Sequence, residues 1–514
     1  MLTIILIFLI YNLLQILILP FFLAYLLYRK FSGKKIFGSF KHRIGLVEQT
    51  SAQKKSHTKT IWIHAVSVGE VLSVQHFISQ LKKQKPDTII YLTVGTPAGK
   101  EVAQKNIAAD VISFMPYDFL PFMLLTFWRI RPSKIFIIEA EIWPNMLILA
   151  NLFGIKKYLI NARVSARSYG RYKFLKFIFA PLFNSFEKIY AQSQQDKHRF
   201  ITLNVNQEKI NVLGDIKIFN VYQKWQAQVN IQEQGKETSD DPSIRICFAN
   251  SLGTSGQCIE PSPTNSANMP HKHATKSPVI LNLFQDPWIN KKPFISPILL
   301  VGSIHPGELD FYVKLYQALK PSHPNLKMIL APRHFHWMQE LETKIKNAGL
   351  SYFMWTTQND PSIQFATQIT QDERGKKTFQ RISVDHAITK TFESHDLLLV
   401  CKLGELFNLY RFANIFYLGG TFVNIGGHNL LEPAVWKNAC IIGPHHQNTQ
   451  VVASQMEKVG GLIPVNNFEQ LLQASQRLLD DHDLIKQMGQ RNFEWILQES
   501  KPVEVAIQEI IKNA

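Results

Sequence analysis

Short apolar stretches of strand length alternate along this chain with segments of helical periodicity, in two successive series. The strand-like stretches of the first series are residues 61–66, 88–94, 111–115, 134–138, 157–160 and 188–191. Those of the second series are residues 298–301, 327–330, 396–400, 415–418 and 439–442. Such alternation builds βαβ units, in which a parallel sheet carries helices on both faces. We therefore predict an α/β protein of two Rossmann-like domains that face one another across a cleft, with ligands beyond the carboxyl ends of the strands.

The N-terminal segment, residues 1–28, contains no charged side chain, and Leu, Ile and Phe dominate it. A helix of that length reaches across a hydrocarbon core of about 30 Å. The basic residues that follow, with no acid before Glu48, are Arg29, Lys30, Lys34, Lys35, Lys41 and Arg43. A cleaved signal peptide has the opposite polarity, and positive residues next to a membrane helix stay in the cytoplasm. We predict a membrane anchor at 1–28, a basic linker at 29–60 and a cytoplasmic body. Because Pro20 can kink the helix, an alternative is that the helix lies in the membrane interface and does not span the membrane.

Two polar stretches interrupt the alternation. Residues 232–292 are rich in Pro, Ser, Thr and Asn, which predicts a disordered insertion. Residues 359–392 are a weaker case of the same kind. The predicted domains are therefore residues 61–231 at the amino-terminal side and residues 293–514 at the carboxy-terminal side, with 359–392 inserted in the second.

The composition excludes several classes of protein. With 46% hydrophobic residues the chain is not intrinsically disordered, and its 4 cysteines form no CxxC pair, so it is not a disulfide-built fold. The formal net charge of +17 indicates an anionic partner, such as nucleic acid, a phosphorylated lipid or a charged membrane face.

Carboxylates follow two strands of the first predicted domain. The first strand ends in WIHAVSVGE, which places His64, Gly69 and Glu70 at a strand-to-helix turn. Glu70 suits either an acid stabilised by the helix dipole or a general base that faces the cleft. Glu139 and Glu141 follow the fourth strand, where unpaired carboxylates are costly.

An arginine-rich stretch comes shortly after the two glutamates. NARVSARSYGRY contains Arg163, Arg167 and Arg171. These arginines suit two roles that the sequence does not separate: neutralising the glutamates, or binding the phosphates or carboxylate of a substrate.

Three motifs that suggest metal or phosphate chemistry have simpler explanations. GTPAGK, residues 95–100, is one residue too short for a phosphate loop, and Glu101 stands where Ser or Thr would hold magnesium. The acidic run at 481–483 favours helix capping, and His445 with His446 lacks further metal ligands. We predict no metal site.

The densest set of polar residues lies in LGGTFVNIGGHNLLEP, residues 418–433. A strand leads into a glycine-rich loop and then into a helix that carries Glu432. Backbone N–H groups of such a loop bind anions, and Glu432 can accept hydrogen bonds from ribose hydroxyls. SIHPGE, APRH and LGEL follow other strands of the same domain, so their polar residues are predicted to converge there.

The motifs of this chain resemble those of 3-deoxy-D-manno-octulosonic acid (Kdo) transferases, which are membrane-anchored glycosyltransferases of lipid A assembly. The motifs are WIHAVSVGE, E-x-E-x-W-P-N, NARVSARS, GDIK, SIHPGE, PRH, GEL and GGHNLLEP, in the family's order, from about Trp62 to Asn448. The resemblance implies a GT-B fold and inverting transfer of Kdo from CMP-Kdo to a lipid A precursor, lipid IVA, at the inner membrane. It also implies a reaction without a metal or other cofactor, which agrees with a monophosphate leaving group.

The resemblance also implies roles for individual residues. Glu70 would be the general base, and Glu139 with Lys217 of GDIK would stabilise the transition state. The residues that would bind CMP are Pro332, Arg333, Leu403, Gly404, Glu405, Asn429, Leu430, Leu431 and Glu432. Two departures from the family pattern stand out: Cys401, Lys402 and Leu403 replace Asp-Thr-Met, and Leu430 replaces a common Pro.

The expected partners are a phosphorylated glycolipid acceptor, CMP-Kdo and an inner membrane with anionic lipids, and nucleic acid is not expected. Basic residues predicted on the cleft side of the first domain fit that acceptor: Lys156, Lys157, Arg171, Lys173 and Lys176. Two alternatives remain, a GT-B sugar-nucleotide epimerase or hydrolase, and a non-enzymatic membrane-tethered protein that binds RNA or acidic lipid.

Overall fold

The computed structural model describes residues 2–31, 40–49, 59–139, 141–237, 297–356, 369–371, 377–379 and 384–513. They form two compact units, of which unit 1 comprises Met1–Lys224 with Phe493–Ala514, and unit 2 comprises Trp225–Asn492. Each unit contains a parallel sheet flanked by helices. The predicted α/β fold class with two Rossmann-like domains and an N-terminal apolar helix is confirmed.

Unit 1 is built on a sheet of seven parallel strands. The strands are β1 Thr60–Ala65, β2 Ile89–Val94, β3 Val111–Phe114, β4 Pro132–Ile138, β5 Lys156–Ala162, β6 Lys188–Ala191 and β7 Ile210–Val212. Their order is β3-β2-β1-β4-β5-β6-β7. The chain therefore reverses its direction of travel across the sheet between β1 and β4, the position where open parallel sheets bind ligands.

The helices of unit 1 cover both faces of this sheet. They are α1 Leu2–Phe31, α2 Phe40–Arg43, α3 Val68–Ser73, α4 Gln75–Gln84, α5 Pro97–Asn106, α6 Leu120–Ile130, α7 Pro144–Leu152, α8 Ala166–Phe174, α9 Lys176–Asn184 and α10 Gln194–Thr202. A short 3₁₀ turn, Gln207–Lys209, precedes β7. Alternate residues of β1 enter opposite cores: the ring of Trp62 packs edge-on against Phe127 at 5.5 Å, whereas Ile61 and Ile63 join the core on the other face. Helix α1 contains Thr3–Phe21, which has the length and apolar composition to cross a membrane.

Unit 2 repeats the plan with a second sheet of seven parallel strands. The strands are β8 Ile298–Ile304, β9 Lys327–Pro332, β10 Tyr352–Trp355, β13 Leu397–Val400, β14 Ile415–Leu418, β15 Ala439–Ile442 and β16 Leu462–Pro464, and the antiparallel pair β11 Ile369–Gln371 and β12 Lys377–Phe379 stands apart. The order is β10-β13-β9-β8-β14-β15-β16, so the reversal falls between β8 and β14. The helices are α12 Leu309–Leu319, α13 Met338–Asn347, α14 Val384–Ser394, α15 Leu406–Leu409, α16 Leu431–Val435, α17 Gln450–Lys458 and α18 Phe468–Asp480.

The units divide the chain differently from the predicted boundaries. The first boundary falls inside helix α11, Ile216–Glu237, and the second inside the last helix, α19, His482–Asn513. Val503, Ile507 and Ile510 lie at helical spacing and are buried in the unit 1 core. The C-terminal residues from Phe493 onward therefore belong to unit 1, not to the predicted second domain.

The predicted insertions fall largely outside the described residues. Residues 232–237 complete α11, and residues 238–292 are not described. Within 359–392, the described parts are β11, β12 and the beginning of α14. The disorder predicted for both segments, like the predicted cleft between the two domains, stays a prediction.

Candidate functional site

Two of the singled-out carboxylates meet where the unit 1 sheet reverses. His64 pairs with Ile137, so β1 and β4 are adjacent and end almost level. Glu70 lies in the first turn of α3, which follows β1, and Glu139 follows β4 directly. The topology thus brings both residues to the ligand-binding edge of the sheet.

The Glu70 carboxylate is fixed by its own helix start. Its Oε2 accepts a hydrogen bond from the backbone N–H of Val66 at 2.7 Å, and the side chain of Ser67 accepts one from the N–H of Glu70 at 3.4 Å. This reciprocal arrangement is a variant of the capping box. Glu70 is only 6% exposed. The capping role considered from the sequence is therefore present, and it holds the carboxylate in one orientation at the end of β1.

Glu139 has a strained backbone. Its φ is +59°, in the left-handed region that non-glycine residues seldom adopt, and its N–H donates to the carbonyl of Ile160 at 2.9 Å. Such a conformation costs of order 1–3 kcal/mol and persists only where the surroundings determine it, typically at functional sites. Asn161, on the neighbouring strand, shows the same feature with φ +56°.

The charges of this edge interact with one another. Burial raises the pKa of Glu139, the Glu70 carboxylate raises it further, and Lys217 and Arg163 oppose the shift. Burial also raises the pKa of Glu141, with Glu70 and Glu139 adding to the effect. The structure therefore brings together Glu70, Glu139 and Lys217, the three residues predicted as catalytic. The charge of Arg163 lowers the pKa of Glu139, which agrees with the first of the two roles considered for the arginines.

Lys217 is placed by the GDIK turn at the start of α11. Asp215 Oδ1 accepts the backbone N–H of Lys217 at 2.9 Å, and the Lys217 side chain is exposed. Gly214 has φ +94°, and a Cβ there would lie 2.8 Å from a methyl of Val503 in α19. The glycine of this motif thus lets the last helix approach the site closely.

His64, singled out at the end of β1, is completely buried. Its Nδ1 lies 3.0 Å from Thr93 Oγ1, and burial lowers the pKa of the imidazole to about 4, so the ring is neutral at physiological pH. Its ring lies edge-on to Trp143 at 6.1 Å. Among the described residues, no group hydrogen-bonds its Nε2.

A buried carboxylate organises the corresponding edge of unit 2. Glu308, in the SIHPGE motif, is 0% exposed and accepts four backbone N–H groups. The donors are His305 at 3.0 Å, Gly420 at 2.7 Å, Thr421 at 3.0 Å and Phe422 at 3.0 Å. Glu308 therefore joins the loop after β8 to the glycine-rich loop after β14, a role that the sequence pattern did not show.

Basic side chains gather beside this loop. The Nε2 atoms of His305 and His428 are 2.7 Å apart, and the two rings stack at 5.1 Å. Burial lowers the pKa of His428 to about 4, with Arg333, His305 and His334 adding to the effect. The predicted convergence of SIHPGE, PRH and GGHN is therefore observed, and the exposed Arg333 carries a positive charge at the centre of the group.

The segment after β13 carries the first of the two departures from the family pattern, at residues 401–403. Gly404 has φ +90° and Leu403 is exposed. Lys402 Nζ forms an ion pair with Glu405 Oε1 at 2.8 Å and lies over the ring of Trp355. Lys402 therefore neutralises one of the residues predicted to bind CMP.

The remaining predicted nucleotide residues differ in what they can offer a ligand. Asn429 Oδ1 accepts the N–H of Leu431 at 2.9 Å, which begins α16. Pro332, Leu430 and Leu431 are buried, so their side chains serve the core and only their backbone is suited to ligand contact. The half-buried Glu432 follows in the first turn of α16.

The helix cap predicted for the acidic run at 481–483 is observed, and the rejected phosphate-loop motif GTPAGK also lies at a helix start. Thr96 Oγ1 accepts the N–H of Gly99 at 3.0 Å at the start of α5, and Asp481 Oδ1 accepts the N–H of Leu484 at 2.9 Å at the start of α19. In the described ranges, no group of three or more His, Cys, Asp or Glu side chains is arranged to hold a metal ion. That the reaction needs no metal stays a prediction.

One part of the predicted basic surface is wrong. Lys156 and Lys157 begin β5, whereas the site lies at the carboxyl ends of the strands, so both sit at the opposite edge of the sheet. Lys157 is buried and donates to Asn151 Oδ1, and Lys156 pairs with Glu187 at 3.1 Å. Neither is available to a lipid phosphate at the site.

Comparison with known proteins gives a consistent result. The domain family described as 3-Deoxy-D-manno-octulosonic-acid transferase (kdotransferase) matches residues 38–220. The chain is 25% identical over 455 residues to the 3-deoxy-D-manno-octulosonic acid transferase of Haemophilus influenzae, covering 88% of this chain and 86% of that one. It is 26% identical to that of Chlamydophila psittaci over 78% of this chain and 72% of that one, and 25% identical to that of Aquifex aeolicus over 83% and 88%.

Proposed function

We propose, from its similarity to the Kdo transferases, that this chain is a glycosyltransferase that moves Kdo from CMP-Kdo to lipid IVA in lipopolysaccharide biosynthesis. The observation that carries the proposal is the meeting of Glu70, Glu139 and Lys217 at the reversal point of unit 1, all three within the matched region 38–220. A buried base, a second carboxylate and a cation in one place suit a displacement at an anomeric carbon.

Glu70 acts as the general base in this proposal. The acceptor hydroxyl attacks the anomeric carbon of Kdo, the bond from that carbon to the CMP phosphate oxygen breaks, and Glu70 takes the hydroxyl proton. The configuration inverts because there is a single displacement. The Val66 N–H holds one carboxylate oxygen at 2.7 Å, so the group is oriented before the acceptor arrives.

Glu139 and Lys217 act on charge in the transition state. Positive charge develops on the sugar ring as the bond to CMP breaks, and a nearby carboxylate stabilises it. Lys217 opposes the rise in the pKa of Glu139 that burial and Glu70 cause, and so favours the ionised form of that carboxylate. The strained backbone at Glu139 fixes the position of this carboxylate.

Unit 2 binds the nucleotide in this proposal. Arg333 offers a planar cation to the CMP phosphate, and Glu432 offers acceptors to the ribose hydroxyls. The N–H groups of Gly426 and Gly427 donate to the Gly420 carbonyl at 3.1 and 3.0 Å, so these glycines, with φ of +100° and +73°, shape the glycine-rich loop. The leaving group is a monophosphate, so Arg333 offsets its charge without a metal or other cofactor.

Helix α1 attaches the enzyme to the cytoplasmic face of the inner membrane in this proposal. Its inward face packs on α7 and α9 of unit 1 while its outward face is apolar and exposed. A helix that meets the protein on one side and lipid on the other has the arrangement of an interfacial helix. The docking thus favours the interfacial alternative over a span.

The function is tested with full-length protein, CMP-Kdo and lipid IVA in mixed micelles, by following CMP release and the mass of the lipid product. We expect one Kdo on the lipid for each CMP released, with and without a chelator. CMP release that is equally fast without lipid would favour the hydrolase or epimerase alternative. Absence of turnover in either condition would favour the non-enzymatic one.

A further inference from the structure

Helix α1 docks on unit 1 through a single stripe of residues. The stripe consists of Ile4, Ile7, Phe8, Tyr11, Asn12 and Gln15. Their spacing of three and four residues places them on one face of the helix. The apolar members at the N-terminal end pack on the core of unit 1, and the polar members follow.

The opposite face of α1 is apolar and exposed. Its residues include Leu6, Leu9, Leu13, Leu14, Ile16 and Leu17. This pattern is the reverse of that found in a helix of a water-soluble protein, because the polar side chains of α1 point to the protein and its apolar side chains point outward. In a lipid environment, inward polar side chains bind protein partners and have specific roles.

Three polar residues of α1 form hydrogen bonds with two polar residues elsewhere in unit 1. We call this group the clasp; it consists of Tyr11, Asn12 and Gln15 of α1, together with Asp118 and Asn145. Tyr11 Oη donates to Asp118 Oδ2 at 3.1 Å, and Gln15 Nε2 donates to the carbonyl of Asp118 at 2.9 Å. The amides of Asn12 and Asn145 pair reciprocally, with N···O distances of 2.8 and 3.2 Å. Asn145 is 0% exposed and Asp118 4% exposed, whereas the three α1 members of the clasp are half-buried.

The clasp holds the start of α7. Asp118 Oδ2 accepts the backbone N–H of Asn145 at 3.0 Å, and its Oδ1 accepts that of Met146 at 3.0 Å. Asn145 Nδ2 in turn donates to the carbonyl of Asp118 at 2.6 Å. Every free N–H in the first turn of a helix needs such a partner, and here one buried carboxylate serves two of them.

The segment between β4 and α7 carries Glu139 and Glu141. It is short: β4 ends at Ile138 and α7 begins at Pro144. Its two ends are therefore held, by the sheet at one side and by the clasp at the other. A positive φ such as that of Glu139 persists only where the surrounding structure determines it.

We propose that Tyr11, Asn12 and Gln15 of α1, acting through Asp118 and Asn145, are positioning residues that set the segment bearing Glu139 for sugar transfer. The inference rests on the proposed function of Glu139. Helix α1 is then part of the catalytic apparatus as well as the membrane attachment.

The test compares two pairs of substitutions in full-length protein. Asn12→Ala/Gln15→Ala removes two of the three α1 members of the clasp. Gln104→Ala/Asn106→Ala removes the same two residue types from exposed positions of α5 and is the control pair. A displacement of about 1 Å at a reacting group reduces turnover by about 10²-fold. We expect kcat of the clasp pair to fall at least about tenfold, within that limit, with KM for CMP-Kdo unchanged within about twofold. The control pair keeps at least half of wild-type kcat.

Hydrogen exchange supplies a readout that a general loss of stability would not reproduce. The clasp pair should exchange the amides of Asn145 and Met146 faster than wild type, while those of β1 and β2 stay protected. Tyr11→Phe keeps the ring and removes only the hydroxyl donor. If the double variant fails to fold, this single variant still tests whether the clasp affects turnover. Its kcat should fall by about threefold or more, within the range expected for the loss of one ordinary hydrogen bond.

Unchanged kcat and unchanged exchange in both clasp variants would overturn the inference, and so would equal losses in the control pair. The wild-type protein measured beside them separates the two proposals. Inactive wild type contradicts the proposed function, whereas active wild type with fully active clasp variants contradicts only the positioning role.

Discussion

Replacing Glu308 by Gln tests whether one buried carboxylate shapes the glycine-rich loop of unit 2. The two carboxylate oxygens accept four N–H groups, two each, from His305, Gly420, Thr421 and Phe422. In Gln, an NH₂ group, which is a donor, replaces one of the two acceptor oxygens. Two of the four hydrogen bonds are therefore lost, because two backbone N–H groups then face that NH₂. Hydrogen bonds to a charged group contribute about 1.5–3 kcal/mol each, which gives a loss of about 3–6 kcal/mol. Folded proteins are stable by only about 5–15 kcal/mol, so the effect is large.

Native-state hydrogen exchange of the amides of residues 420–422 measures this loss locally, and calorimetry with CMP measures its consequence for binding. We expect faster exchange, by two orders of magnitude or more, and weaker CMP binding in Glu308→Gln. The matched control is Glu340→Gln on α13, whose ion pair with Lys344 at 3.4 Å lies at the surface and contributes little. An exchange free energy for residues 420–422 within about 1 kcal/mol of wild type would refute the reasoning, because the four bonds would then be dispensable.

Three further predictions concern the nucleotide, the pH dependence and the membrane. Arg333→Ala should weaken CMP binding about tenfold or more by calorimetry, as expected for a lost charged contact, whereas Arg477→Ala on the exposed side of α18 should not change it. Burial raises the pKa of Asp118 from 3.8 in the unfolded chain to about 7 in the folded chain. Between about pH 4 and pH 7 the carboxyl is therefore deprotonated in the unfolded chain but still protonated in the folded chain. The free energy of unfolding should therefore fall over that window more steeply in wild type than in Asp118→Asn, and parallel curves would contradict this. Thr3→Cys should resist a membrane-impermeant thiol reagent added from the periplasmic side if α1 lies in the interface, and ready labelling would show that it spans.

The strand pattern was predictable where apolar runs are continuous. Residues 188–191, 415–418 and 439–442 form strands with the predicted bounds. The three-residue strands β7 and β16 were missed because three residues show no period. The position of α19 was also missed, since its apolar stripe fits either core, and only packing against unit 1 decides between them.

The ends of the strands indicated the site, because parallel strands bring their carboxyl ends to one edge. The same rule places Lys156 and Lys157 at the opposite edge of the sheet, because they begin β5. Their assignment to the acceptor-binding surface was therefore an error that the sequence alone could have prevented. The four contacts of Glu308 were not predictable, because three of its four donors lie more than a hundred residues away.

The clasp was signalled only indirectly. Tyr11, Asn12 and Gln15 are polar residues in an otherwise apolar helix, and such residues imply a buried partner. Nothing in the sequence indicates that the partner is Asp118, in the loop after β3, since the contact joins segments 103 to 107 residues apart.

Transfer by purified Glu70→Gln tests the central claim most directly. Gln keeps an oxygen for the Val66 N–H, so the start of α3 is preserved while the base is removed. Positioned base catalysis contributes about 10²–10⁴-fold, so we expect Glu70→Gln to fold, to bind CMP normally and to lose transfer by at least about a hundredfold. Ser67→Ala is the control: it removes the N-cap of α3, at a cost of about 1 kcal/mol in stability, and keeps the base, so its turnover should stay close to wild type. Transfer by Glu70→Gln at more than half the wild-type rate would contradict the assignment and leave Glu70 as a helix cap alone.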